Sequence, residues 1–172
     1  MAISPIVCDP ALFFRHLHID ESLLLDIHFG ASIRMVINLA SASFDSIRIP
    51  RAREKSSRST LPTAVFWMLS FEGISNAQLL DNFGKPFELD MPVTRIWGSG
   101  PAVIYGFRNT SHDDSHHVKC GSNKFEMLTF DYLYLKFAYR AGTPIGTKGQ
   151  YQYIDTVTGE QIDPKKPFIE TI

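Results

Sequence analysis

The sequence predicts a mainly β protein, an antiparallel β-sandwich or open barrel with one or two short helices. Three observations carry that expectation. Apolar residues alternate with polar ones at a period of two over several runs, aromatic residues are plentiful, and turn signals separate the runs. The alternating strand–helix spacing of a doubly wound sheet is missing. The chain has 13 Phe, 6 Tyr and 2 Trp among its 172 residues, an aromatic supply that suits pleated surfaces and binding faces.

Taken in order, Asp9-Pro10 opens a short helix, with Asp9 as cap and Pro10 at the first helical position. Leu12, Phe13, Leu17 and Ile19 are expected to face one way on it. From Leu23 the period becomes two. Leu23, Leu25, Ile27 and Phe29 alternate with Leu24, Asp26 and His28, and Gly30 punctuates the run. Ile33, Met35, Ile37 and Leu39 then alternate with Arg34, Val36 and Asn38. The two runs read as a hairpin with one buried face. "FDSIRI", residues 44–49, gives a third strand that Pro50 ends.

"AVFWMLSFEG", residues 64–73, is almost unbroken in its apolarity. That marks a central strand covered on both faces, stopped at Gly73. "SNAQLLDNFG" is expected to form one turn of helix or a wide turn. Short strands follow in "VTRIWG" and "AVIYGFRN". The run "KFEMLTFDYLYLKFAYR" is too rich in aromatics for a helix and reads as strand with a bulge near Asp131. At Ala141 the composition changes to Gly, Thr and Pro. The expected organisation is a β-rich domain over 1–140, then a linker and hairpin-like extension over 141–172 that turns at Thr158-Gly159.

Composition narrows the function. Charged residues make up 20% and the formal net charge is −1. Such a balance offers no general attraction for nucleic acid or an anionic membrane. Cys8 and Cys120 form no CxxC, which excludes a zinc ribbon or thioredoxin-type motif and favours two free thiols. No basic n-region precedes the first apolar run and no apolar run reaches the ~18–20 residues of a membrane span, so a cytoplasmic location is expected.

No GxSxG or P-loop is present, and neither cysteine has an adjacent histidine. The run "RHLHIDE" places His16 and Asp20 four apart, but it reads better as the polar end of a helix than as an acid–base pair. Three candidate sites remain. In "SHDDSHHVKC", His112, Asp114 and His116 come at i, i+2, i+4. On an extended segment that spacing aims all three one way and suits zinc or another divalent ion. The competing reading of residues 112–117 as a solvated loop is favoured, because no second ligand cluster accompanies them. Arg51, Arg53, Lys55 and Arg58 form a basic loop suited to steering an acidic protein partner. Tyr132 and Tyr134 are the aromatic residues expected to face outwards as binding anchors.

The stretch "VFWMLSFEGISNAQLLDN" resembles small β-rich immunity proteins of bacterial toxin systems. The resemblance covers the central part of the chain. It implies a non-enzymatic protein that binds and neutralises one cognate toxin domain, with no cofactor. Two alternatives stay open: a metal-dependent enzyme or metal-binding β-barrel built on the histidine run, and a structural subunit of a phage or secretion assembly whose 141–172 segment docks onto a neighbour.

Overall fold

The computed structural model describes residues 6–38, 64–89, 102–146 and 152–168. The elements in chain order are β1 (Ile6–Cys8), α1 (Pro10–His16), β2 (Leu23–Phe29), β3 (Ser32–Asn38), β4 (Ala64–Glu72) and β5 (Ser75–Leu80), then β6 (Ala102–His112), β7 (Ser115–Ser122), β8 (Met127–Tyr132), β9 (Tyr134–Ile145), β10 (Gln152–Asp155) and β11 (Gln161–Ile162). The protein is mainly β, with one short helix among the described residues, and every strand pairing is antiparallel.

The strands run β11-β10-β9-β4-β3-β2-β6-β7-β8-β5, with β1 added on β9. The order divides into a first sheet, β11 to β2 with β1, and a second sheet of β6, β7, β8 and β5. Strand β6 joins them by pairing Ala102 and Val103 with β2 and its later residues with β7. The chain also crosses between the sheets twice, once from β4 to β5 and once from β8 to β9. Both crossings turn at one level. Gly73 has φ +69°, and a Cβ there would lie 2.8 Å from the Leu133 side chain. The Leu133 N–H donates to the Glu72 carbonyl at 2.8 Å. Only glycine tolerates both that φ and that approach.

The core between the sheets is aromatic. Phe71 packs edge-on against Phe130 and Tyr132, with ring centroids 5.0 and 4.9 Å away. Phe13 brings α1 into the same core against Trp67 and Phe137, at 5.8 and 4.9 Å. Each such side chain contributes about 1.5–3 kcal/mol by leaving water. A second cluster lies on the other face of the first sheet: Phe66, Met68, Ala138, Ile162 and Phe168, with Leu25, Val36 and Tyr153 against it. Strand β4 is thus covered on both faces, as its apolar run predicts.

Helix α1 starts as the sequence indicates. The Asp9 carboxylate accepts from Ala11 N–H at 3.0 Å, and Pro10 occupies the first turn. Leu12, expected on the buried stripe, is 39% exposed, while Phe13, Leu17 and Ile19 are buried. Leu17 and Ile19 lie beyond the helix end, so helical spacing does not govern them.

Strand β2 departs from strict alternation. Its pairing with β3 slips between Leu24 and Asp26, so Leu24 and Ile27 are both buried in the main core and Leu25 turns to the second cluster. One extra residue reverses the parity of a strand. In β3, Ile33, Met35 and Ile37 are buried as expected. "SNAQLL" is strand and not helix, because pairing with β8 buries Leu79 beside Leu128. The long aromatic run breaks at Leu133, near the expected bulge, and there changes sheet.

At Ala141 the expected linker is strand instead. Strand β9 continues to Ile145 and pairs with β10, and Gly142 lets the hairpin approach closely: a Cβ there would sit 3.0 Å from Tyr153 and 3.1 Å from Ile162. The hairpin itself turns through Thr156–Gly159. The runs at 44–49 and 93–98, Leu39, and the basic residues Arg51, Arg53, Lys55 and Arg58 lie outside the described residues.

Candidate functional site

The histidine run does not form the extended segment that the metal reading requires. Residues 112–116 make a tight hairpin: His112 ends β6, Asp113 and Asp114 are the turn, and Ser115 opens β7. Asp113 has φ +52°, a turn conformation that aspartate tolerates. His112 and His116 therefore sit on two antiparallel strands, and Asp114 belongs to neither. The His116 ring lies over Tyr132 at 5.1 Å, and its Nδ1 is 2.7 Å from the Ser111 hydroxyl. Among the described residues no group of three or more His, Cys, Asp or Glu side chains is placed to hold a metal ion.

The next histidine is better organised. His117 faces outwards on β7, opposite Asp131 on β8. Its Nδ1 lies 2.7 Å from Asp131 Oδ1, and its Nε2 lies 3.0 Å from the Thr129 hydroxyl. Asn76 donates to the other Asp131 oxygen at 2.7 Å. The Asn76 bond first, and the His117 bond second, hold the Asp131 carboxyl below its ordinary range. Hydroxyl, imidazole and carboxylate in this order match the arrangement that activates a nucleophile. The surroundings do not. Directly opposed residues share a face, and here Thr110, His117, Asp131 and Ser75 form one row while Arg108, Lys119, Thr129 and Gln78 form the next. The network lies flat on an open sheet. Strand β8 is paired on both sides, so the ladder occupies the main-chain N–H groups that an oxyanion would need.

Among the described residues a concave feature lies between α1 and β6. It is a groove of about 530 Å³ lined by Phe14, Arg15, His18, Asp20 and residues 107–111. Its floor is the Phe14–Phe107 pair, with centroids 5.1 Å apart. Asp20 accepts the Phe107 N–H, which ties the segment after α1 to β6. The helix ends at His16, so His16 and Asp20 are not partners four apart on one helix.

The two tyrosines separate. Tyr134 is 46% exposed, and the ammonium of Lys136, which pairs with Val7 of β1, lies 5.9 Å above its ring. Tyr132 is only 1% exposed, which corrects the outward reading. The change of sheet at Leu133 inverts the parity, so residues two apart no longer share a face. The Tyr132 hydroxyl donates to Asn109, and burial, then the nearby Cys8 and Asp9, raise its pKa above the ordinary phenol value. Cys8 and Cys120 are free thiols. Burial first, then Asp9 and Asp20 respectively, pushes each up to about 12, so both stay protonated and unreactive at neutral pH.

Two features escaped sequence reasoning. The His117–Asp131 pair depends on the register between β7 and β8, and the groove depends on where the segment after α1 lies. Alternation does place His117 and Asp131 each on the polar parity of its strand, which is the one available signal. No helix among the described residues is long and apolar enough to cross a membrane. The chain matches no family model, no curated protein and no solved structure.

Proposed function

We propose that the chain is a non-enzymatic protein-binding module of the immunity type, acting in the cytoplasm, whose partner is a toxin domain. The observation that supports this most is the exposure of Tyr134, Leu133 and Val7, at 46%, 56% and 62%, where β9 begins and where β1 pairs with it. A half-exposed tyrosine on a paired strand is a rigid anchor that loses little entropy on binding. The flat setting of His117, Asp131 and Thr129 supports a binding face over a catalytic centre.

The test uses the intact chain to capture its partner from a cell that expresses a neighbouring toxin gene. Recovery of one stoichiometric partner is expected. Tyr134→Ala is expected to speed dissociation about tenfold or more, the usual effect of truncating an anchor, with the melting temperature unchanged. A specific reading for an enzyme rests on the same His117 network. Hydrolysis of p-nitrophenyl acetate by the purified chain, abolished in His117→Ala, would replace the binding reading with that one.

A further inference from the structure

Strand β6 uses only one of its two edges beyond Phe107. Nearer its start both edges are occupied: the Ile104 N–H donates to the Ser22 carbonyl at 3.0 Å, and the Ile104 carbonyl accepts from Glu21 at 2.7 Å. The Phe107 N–H goes to Asp20. Past that point, among the described residues, β6 pairs with β7 alone. The β6–β7 turn has two residues, so His112 and Ser115 close it as a mutually bonded pair. Counting back by twos, Thr110 and Arg108 also give their main-chain groups to β7. The outward bond of Phe107 fixes the same alternation from the other end. The N–H and C=O of Asn109 and Ser111 therefore point away from the sheet, along the groove beside α1.

The other sheet ends are finished differently. The outer edge of β5 is covered by its own chain, through the Leu80–Pro86 bridge and the Phe87 N–H on Leu79 at 2.9 Å. Strand β11 has only two residues. A long edge left open by the described residues is a template for pairing with another chain.

We propose that this edge takes an extended, acidic segment of the partner protein as an added β-strand. The proposal rests on the protein-binding reading and gives it a mode and a ligand chemistry. The main-chain groups of Asn109 and Ser111 supply four ladder bonds. Alternate side chains of the incoming segment meet the Phe14–Phe107 floor, as strand addition uses pockets for every second residue. The charge of the lining chooses the sign. Arg15 and Arg108 supply two cations against one carboxylate, Asp20, which Phe107 already engages. A segment alternating carboxylate and apolar residues complements both features.

The probe is the acetylated, amidated hexapeptide Glu-Leu-Glu-Leu-Glu-Leu, titrated into the full ¹⁵N-labelled chain. Saturable shifts are expected along β6, with hydrogen exchange slowed at the Asn109 and Ser111 amides and unchanged at Thr110. Ser111→Pro removes one outward N–H and leaves the β7 ladder intact, since proline is tolerated on an edge. It is expected to weaken binding about tenfold, the equivalent of one hydrogen bond. A peptide with N-methylated leucine amides makes the same test on the unmodified protein and is expected not to bind. Replacing Arg15 and Arg108 by Ser is expected to weaken binding at low salt. Unslowed exchange at Asn109 and Ser111 under saturating peptide, or full affinity for the N-methylated peptide, overturns the proposal. Shifts confined to the surroundings of Tyr134 overturn it too and leave the protein-binding reading standing. A concentration-dependent dimer dissolved by Ser111→Pro overturns it in favour of a second copy as the occupant.

Discussion

The outer faces of the two sheets are finished in opposite ways. On the first sheet, residues 152–168 fold back over Phe66, Met68 and Ala138 and bury Ile162 and Phe168 there. Arg140 fastens this cover. Its guanidinium bonds Asp155 at 2.5 Å, the Pro167 carbonyl at 2.8 Å and Glu160 at 3.3 Å, and the Arg140 and Asp155 side chains are only 9% and 7% exposed. On the second sheet, the His117–Asp131 pair stands 43% and 36% exposed, with no such cover among the described residues. Each face carries a side-chain contact to a carboxylate of similar length, made by a guanidinium on the first and an imidazole on the second. Burial decides what each is worth, because water screens the second pair and not the first.

Removing the cover tests the comparison most severely. A chain ending at Gly146 loses both the hairpin and the partners of Phe66 and Met68. Loss of the cooperative thermal transition, or aggregation, is expected, and an unchanged melt would break the contrast. Next comes Arg140→Ala, which leaves Asp155 buried without its cation. About 3–5 kcal/mol should be lost, read from the urea midpoint. Phe168→Ala sharpens the same point without touching charge. Its cavity should cost about 3–5 kcal/mol if the site is as well packed as a core, and less if the segment can close over it.

Acid separates the faces more finely. Burial pushes the Asp155 carboxyl up, but Arg140 and the N–H groups of Thr158 and Val157 outweigh it and hold it below the ordinary range. A depressed folded pKa means that the stabilisation is complete above the unfolded value, about 3.9. It is lost as pH falls through the lower folded value. Asp155→Asn should therefore flatten the acid limb of stability against pH, at a cost near neutrality. The smallest effect is expected at the open face: His117→Ala should change stability by no more than about 1 kcal/mol, as exposed pairs do. A larger loss would mean that the His117 network holds the second sheet together.

The same comparison shows what alternation in the sequence can reach. The strand over 64–72, the cap at Asp9 and the buried set Ile33, Met35, Ile37 follow from local pattern, since each depends on residues within one turn or one strand. Leu25 and Tyr132 do not, because a bulge and a corner each reverse parity at a point the composition does not mark. The C-terminal cover was hidden for another reason. "AGTPIGTKGQ" has the makeup of a linker, yet Gly142 is there to admit Tyr153 and Ile162, and that need appears only when the hairpin is in place. Of the candidate site residues, Tyr134 keeps the expected exposure, and His112, Asp114 and His116 fall apart because a two-residue turn falls between the two histidines.

The pairing of β1 with β9 sets a timetable for synthesis. Cys8 faces Leu135, 127 positions later. At roughly 5–20 residues per second the ribosome needs on the order of ten seconds to bring that partner out. Until then the first strand has no ladder, and the exposed Val7 and half-buried Cys8 wait beside a nascent chain rich in unpaired strands. A chaperone that holds the N-terminus over that interval should raise the yield of native protein, most of all when translation is slow.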